Sequence, residues 1–176
     1  MVKDGKAIKG FMTPSGKVQF YAEEHLKMTS AEGKPVSPLP EYTPRDWQPD
    51  ATYPLYLVNW KEASHTHTRT QNNAYLLQIK GTNPLRIHTD TAARLGIHDG
   101  AVVLVETKFC KVKATVQLTE GIHPQVVGLM HGFGHWELGR NAKGRGTADG
   151  SLRPTKSDAL SGMALHKECC VKVYPA

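Results

Sequence analysis

The chain has 176 residues, 39% hydrophobic and 22% charged, which suits one domain with a core and excludes a disordered polymer. A formal net charge of +6 fits an anionic partner (nucleic acid, a phosphate-bearing cofactor, an acidic protein surface) or a plain soluble basic surface. No stretch is apolar enough to span a bilayer and residues 1–10 carry no export signal, so direct membrane insertion is not expected and the compartment, cytoplasmic or periplasmic, stays open.

Pro14, Pro35, Pro38, Pro40, Pro44 and Pro49 crowd residues 1–50, which read as an extended lead-in from a preceding domain. Within it Thr13-Pro14-Ser15-Gly16 marks a turn, residues 17–21 a short strand and residues 22–27 a short helix. The core domain occupies residues 51–176. Residues 55–60 read as a buried strand, 64–73 as a polar loop and 85–88 as a short strand after Asn83-Pro84. Residues 89–95 read as a helix capped by Thr89 or Asp90 and ended by Gly96. After the Asp99-Gly100 turn, β-branched residues 101–107 and 111–118 form a hairpin. Residues 126–130 and 169–174 are further strands, with a glycine-rich polar stretch over 132–162. Many short strands and little helix make a mainly β chain, a small barrel.

Cys110, Cys169 and Cys170 have neither the number for a disulfide framework nor the spacing for an iron–sulfur or zinc site. His65 and His67 share one face if extended, and with His131 or His135 they could hold a metal; hydrogen-bonding loop histidines explain the same pattern. A different chemistry uses the same segments. Gly132, Gly134, Gly139, Gly144, Gly146 and Gly150 let backbone N–H groups approach a ligand. Arg69, Arg140, Lys143, Arg145, Arg153 and Lys156 bring charge, and Thr68, Thr70, Asn72, Asn73 and Ser151 bring neutral partners. That mixture suits a diphosphate flanked by polar rings, and equally a solvated basic loop. No glycine-rich dinucleotide turn, phosphate loop or nucleophile elbow is present.

The order of the pieces resembles the last domain of the molybdopterin oxidoreductases of the dimethyl-sulfoxide-reductase family. The resemblance rests on Phe11-Met12-Thr13-Pro14-Ser15-Gly16-Lys17-Val18-Gln19-Phe20-Tyr21, Pro38-Leu39-Pro40, Tyr53-Pro54-Leu55 and the 65–73 loop. Asn83-Pro84-Leu85, Leu95-Gly96-Ile97-His98-Asp99-Gly100, Gly121-Ile122-His123-Pro124 and His131-Gly132-Phe133-Gly134-His135-Trp136 continue it in order. The phrasing is most similar to the polysulfide, thiosulfate and tetrathionate reductase branch. Gln125 and Ser151 depart from it, standing where the family often has glycine and asparagine.

The resemblance implies a six-stranded double-psi β-barrel that grips molybdopterin guanine dinucleotide, with molybdenum or tungsten ligated through other domains. It places the cofactor on three loops, 64–73, 131–140 and 150–158. The expected contacts are Ser64, His65, His67, Thr68, Arg69, Thr70, Asn72, Asn73, His131, Gly132, Gly134, His135, Trp136, Arg140, Ser151 and Asp158. No residue is expected to be catalytic or to ligate metal, and the expected partners are the remaining domains or subunits of an oxidoreductase. A basic nucleic-acid-binding barrel and a histidine-metal hydrolase are the alternatives from other classes.

Overall fold

Apolar residues at every second position turn short β-branched runs into strands with one face inward. In the computed structural model, described for residues 2–7, 9–137, 139–158, 160–166 and 169–176, the chain groups into two units. The first comprises the described residues of 1–44 and 157–163, the second residues 45–156 and 164–176. Residues 45–50 therefore fall with the barrel and 157–163 with the lead-in.

The first unit holds a small hairpin, β1 (Val2–Lys3) against β2 (Lys6–Ala7), and a 3-10 helix at Glu23–Lys27 where a short helix was expected. The strand expected at 17–21 does not form. Its apolar residues are exposed, Val18 by 55% and Phe20 by 77%, and without a neighbouring strand to pair with, β propensity alone orders nothing.

The second unit is built on six strands: β3 (Leu55–Val58), β4 (Leu85–Ile87), β5 (Val102–Glu106), β6 (Lys111–Leu118), β7 (Val126–Gly128) and β8 (Cys170–Pro175). They close into a barrel in the order β3-β7-β4-β6-β5-β8. Pairs β3–β7 and β4–β6 run parallel, and the other four antiparallel. This interleaving of two parallel pairs is the double-psi barrel expected from the resemblance.

Leu57, Leu85, Ile87, Val103, Val105, Val127, Leu129, Leu152 and Val171 are fully buried and fill the interior. The expected hairpin is β5 and β6, in register from Val102↔Thr115 to Glu106↔Lys111, with Thr107 Oγ1 accepting from the Phe109 and Cys110 amides in its turn. Two helices stand outside the barrel, α1 (Ala74–Ile79) and α2 (Thr89–Arg94). α1 was not expected. α2 was, but its N-cap is His88, whose Nδ1 accepts from the Asp90 amide at 3.1 Å, rather than Thr89 or Asp90. His88 is the residue with extended dihedrals just before the first turn, so its side chain is the one in reach.

Cys169 and Cys170 lie at the start of β8 and are buried, while Cys110 in the hairpin turn is half-buried. Loss of solvent pushes the Cys169 thiol up to about 11 and raises that of Cys170. A negligible thiolate fraction then exists at mildly alkaline pH. A thiol reagent at pH 8 is expected to titrate Cys110 first in the folded protein, with Cys169 and Cys170 reacting only after denaturation. Three equivalents titrating together without denaturant would contradict this packing.

Candidate functional site

Strand direction brings the polar loops to one end of the barrel. β3 and β7 run parallel, so the segments leaving them emerge side by side, and the pairing continues with Leu129 N–H to Val58 O (3.0 Å) and His131 N–H to Trp60 O (3.1 Å). β4 is antiparallel to β7, so the second residue before β4, just ahead of Pro84, lies where β7 ends. That residue is Asn83, 2% exposed. Its Nδ2 donates to the Met130 and Thr147 carbonyls (2.8 Å each) and its Oδ1 accepts from the Thr147 amide (2.7 Å). One buried amide thus ties the end of β7 to the glycine-rich loop with every strong hydrogen-bonding direction used but one.

The 64–73 loop is tightly folded. His65 is 5% exposed: Nδ1 lies 3.2 Å from Thr70 Oγ1, Nε2 lies 2.8 Å from Lys80 O, and the ring meets the Phe133 ring edge-on at 5.5 Å. The Thr70 hydroxyl also accepts from the Thr66 amide (2.8 Å). Asn73 caps α1 by accepting from the Tyr75 and Leu76 amides. Asn72 Oδ1 accepts from the Asn141 amide (2.8 Å), and Asn141 Nδ2 donates to Asn72 O (3.0 Å). These four expected contact residues have side chains hydrogen-bonded to other groups of the chain, which sets the loop's shape, although of the four only His65 is buried. Ser64 is half-buried, whereas His67, Thr68 and Arg69 are exposed.

His67 adopts a left-handed backbone (φ +50°), unusual for a residue with a side chain. Two neighbours hold it there. Gln71 Nε2 donates to His67 O (3.1 Å), and Gly132 presses so close that a Cβ on it would lie 2.7 Å from that carbonyl oxygen. The His67 ring then meets the His131 ring at 5.7 Å. Lys61 foremost, then loss of solvent, His131 and Arg69, disfavour a proton on His67 and lower its pKa. A group of like charges crowding one exposed histidine is a surface that an anion would relax.

The second loop folds back on itself. Gly134 N–H donates to Arg145 O, Gly144 N–H donates to His135 O (2.9 Å each), and His135 bridges Lys143. Trp136 is 73% exposed, Arg140 is exposed, and Leu138 lies outside the described residues.

Behind both loops lies Asp149, 2% exposed, where three elements meet. His131 Nδ1–H donates to Oδ1 (3.0 Å), while Arg153 Nε (3.0 Å) and Asn59 Nδ2 (3.4 Å) donate to Oδ2. Arg153 also donates from Nη1 to the His166 carbonyl. Ser151, in a 3-10 turn at Gly150–Leu152, is exposed. Asp158 belongs to the first unit, where its Oδ1 accepts from the Leu160 and Ser161 amides and the Ser161 hydroxyl.

The family model described as "Molydopterin dinucleotide binding domain" matches residues 55–170, the whole of this arrangement from β3 to the start of β8. The chain belongs to that family.

Relatives of this molybdopterin dinucleotide binding domain include the thiosulfate reductase molybdopterin-containing subunit of Salmonella typhimurium, 28% identical over 89% of the chain and 20% of the relative. Dimethyl sulfoxide reductase of Escherichia coli is 30% identical over 70% of the chain and 16% of the relative. The chain thus spans a fifth or less of the length of these curated relatives. Among solved structures, acetylene hydratase from Pelobacter acetylenicus shares the fold, with a TM-score of 0.71 at 21% identity over 96% of this chain and 24% of that one.

The residues fit such a cofactor. Buried polar atoms are normally paired, yet Gln71 Oε1, His135 Nε2 and Arg153 Nη2 are buried and find no partner among the described residues. One comes from each of the three loops that the sequence singles out. Among the described residues no three His, Cys, Asp or Glu side chains gather as a metal cage, so the hydrolase alternative gains no support. Sequence reasoning missed Asn83, Gln71 and Asp149. Gln71 stands inside a run of otherwise chosen residues, and only its burial sets it apart.

Proposed function

We propose that the chain holds and orients molybdopterin guanine dinucleotide as the C-terminal domain, or a completing small subunit, of a molybdenum or tungsten oxidoreductase acting on a sulfur compound or oxyanion. The observation that carries this is the set of unpaired buried atoms contributed by all three loops. The names of the relatives, a thiosulfate and a dimethyl sulfoxide reductase, support the substrate class. When bound, the cofactor supplies the redox chemistry; the chain's part is to grip it and exclude water. Exposed Thr68 and Arg69 offer a hydroxyl and a permanently charged fork to the diphosphate, with Arg140 and the 131–136 segment on the second loop. Thr70, Asn72 and Asn73 act by holding the first loop in shape.

The test uses the enzyme assembled with its remaining domains. Oxidised pterin fluorescence and guanine nucleotide released by acid hydrolysis are expected in fixed ratio to this chain. A folded, assembled enzyme with neither would sink the proposal. Arg69→Ala is expected to lower cofactor occupancy by an amount matching about 1.5–3 kcal/mol, the worth of a charge-assisted hydrogen bond. Full occupancy in that variant would remove Arg69 from the diphosphate site.

A further inference from the structure

Gln71 is 1% exposed, and its orientation is set by its own hydrogen bond: the atom that donates to His67 O must be Nε2. The carbonyl end is left buried with nothing to accept from. Arg153 is the converse. Its side chain is 4% exposed; Nε is taken by Asp149 and Nη1 by the His166 carbonyl, and Nη2 is left as a buried donor without an acceptor. The two orphans are joined by an unbroken run of contacts, from Gln71 to the His67 backbone, from the His67 ring to the His131 ring, and from His131 through Asp149 to Arg153. A run that leaves one buried acceptor and one buried donor without a partner carries a cost that a ligand can repay.

We propose that Gln71 and Arg153 are further cofactor-holding residues of this domain: Gln71 Oε1 accepts from a ring N–H of the dinucleotide, and Arg153 Nη2 donates to one of its oxygen atoms. Asp149 is a positioning residue that keeps the guanidinium and the His131 ring in one arrangement. The proposal rests on the reading above that the dinucleotide binds here. It assigns polarity as well as position. The group that meets Gln71 must bring a hydrogen, and the group that meets Arg153 must bring a lone pair.

The assembled holoenzyme is the material for the test. Gln71→Met removes the acceptor at similar volume, and Arg153→Lys keeps the charge beside Asp149 but removes the Nη2 fork. Pterin and guanine nucleotide retained after dilution are followed with time, and the melting temperature of the cofactor-free protein is measured alongside. Each variant is expected to lose cofactor about tenfold faster or more, the loss of one good hydrogen bond. The cofactor-free melting temperature is expected to fall by less than the loss of retention implies, because the bonds to the His67 and His166 carbonyls go but the unpaired buried atom goes with them. Retention equal to the parent's, or a fall in retention matched by an equal fall in cofactor-free stability, would overturn the proposal and leave the broader reading standing. A parent enzyme without dinucleotide would overturn both. Should either variant fail to assemble, the crystal structure of the unaltered holoenzyme decides it: Oε1 and Nη2 within hydrogen-bond distance of cofactor atoms, or bonded to water alone.

Discussion

Replacing Asp149 by alanine is expected to cost the barrel about 3–5 kcal/mol in urea unfolding, a large part of the stability of a domain this size. Asp149 and Arg153 have side chains only 3% and 4% exposed, so the substitution leaves a guanidinium buried without its counter-charge. It also strands His131 Nδ1 and Asn59 Nδ2. The pair itself is not the source of the stability, since bringing both charges out of water offsets most of their attraction. The double replacement Asp149→Ala with Arg153→Met is therefore expected to recover much of the loss. A single-variant loss under about 1 kcal/mol would mean that water reaches the pair freely, as it does at surface ion pairs.

Gly134→Ala is expected to be the most disruptive change in the second loop. An added Cβ would lie 2.1 Å from the Ala148 amide nitrogen and 2.6 Å from Ala148 Cα, and the residue sits at φ +81°. Backbone cannot swing aside as a side chain can, so strain and overlap add to roughly 2–5 kcal/mol. Gly144 supplies the control. Its φ is +74° but a Cβ there meets nothing within 4 Å, so alanine should cost only about 1–2 kcal/mol. Limited proteolysis between residues 131 and 148 should accelerate sharply for Gly134→Ala and slightly for Gly144→Ala. Equal rates would show that the close contact of Gly134 with Ala148 does not hold in solution.

The strands were legible because their signal is local. Val, Ile and Leu at alternating positions, bounded by Asn83-Pro84, Asp99-Gly100 and Gly121 with Pro124, mark segments within a few residues of β4 through β7. Their order around the barrel is not local, and it came only from the resemblance of the whole chain. α1 escapes the sequence reading although Asn73 before Ala74-Tyr75-Leu76-Leu77 is a fair N-cap signal, because the helix is six residues long and buries only Leu77, too little for an apolar period to show. His65 and Thr70 were expected to meet a ligand, but their polar atoms bond to one another. Residue type states what a side chain can bond to, and burial decides what it does bond to. Asn83 and Asp149 owe their roles to partners up to 90 positions away in the chain, as in Asn59 to Asp149, a convergence that no spacing rule displays.

The barrel's last ladder sets a timetable. β8 pairs with both β3 and β5, joining Leu55 to Val171 and Val103 to Pro175, so neither seam can close until residues 170–175 have been synthesised. On a ribosome, which makes proteins from the N-terminus onward, the loops that converge on Asp149 emerge before the cylinder that supports them exists. The closed barrel that backs these loops is therefore complete only after the last strand has been made. Until then β3 and β5 present open edges that a chaperone could shield, and such non-local closure folds slowly.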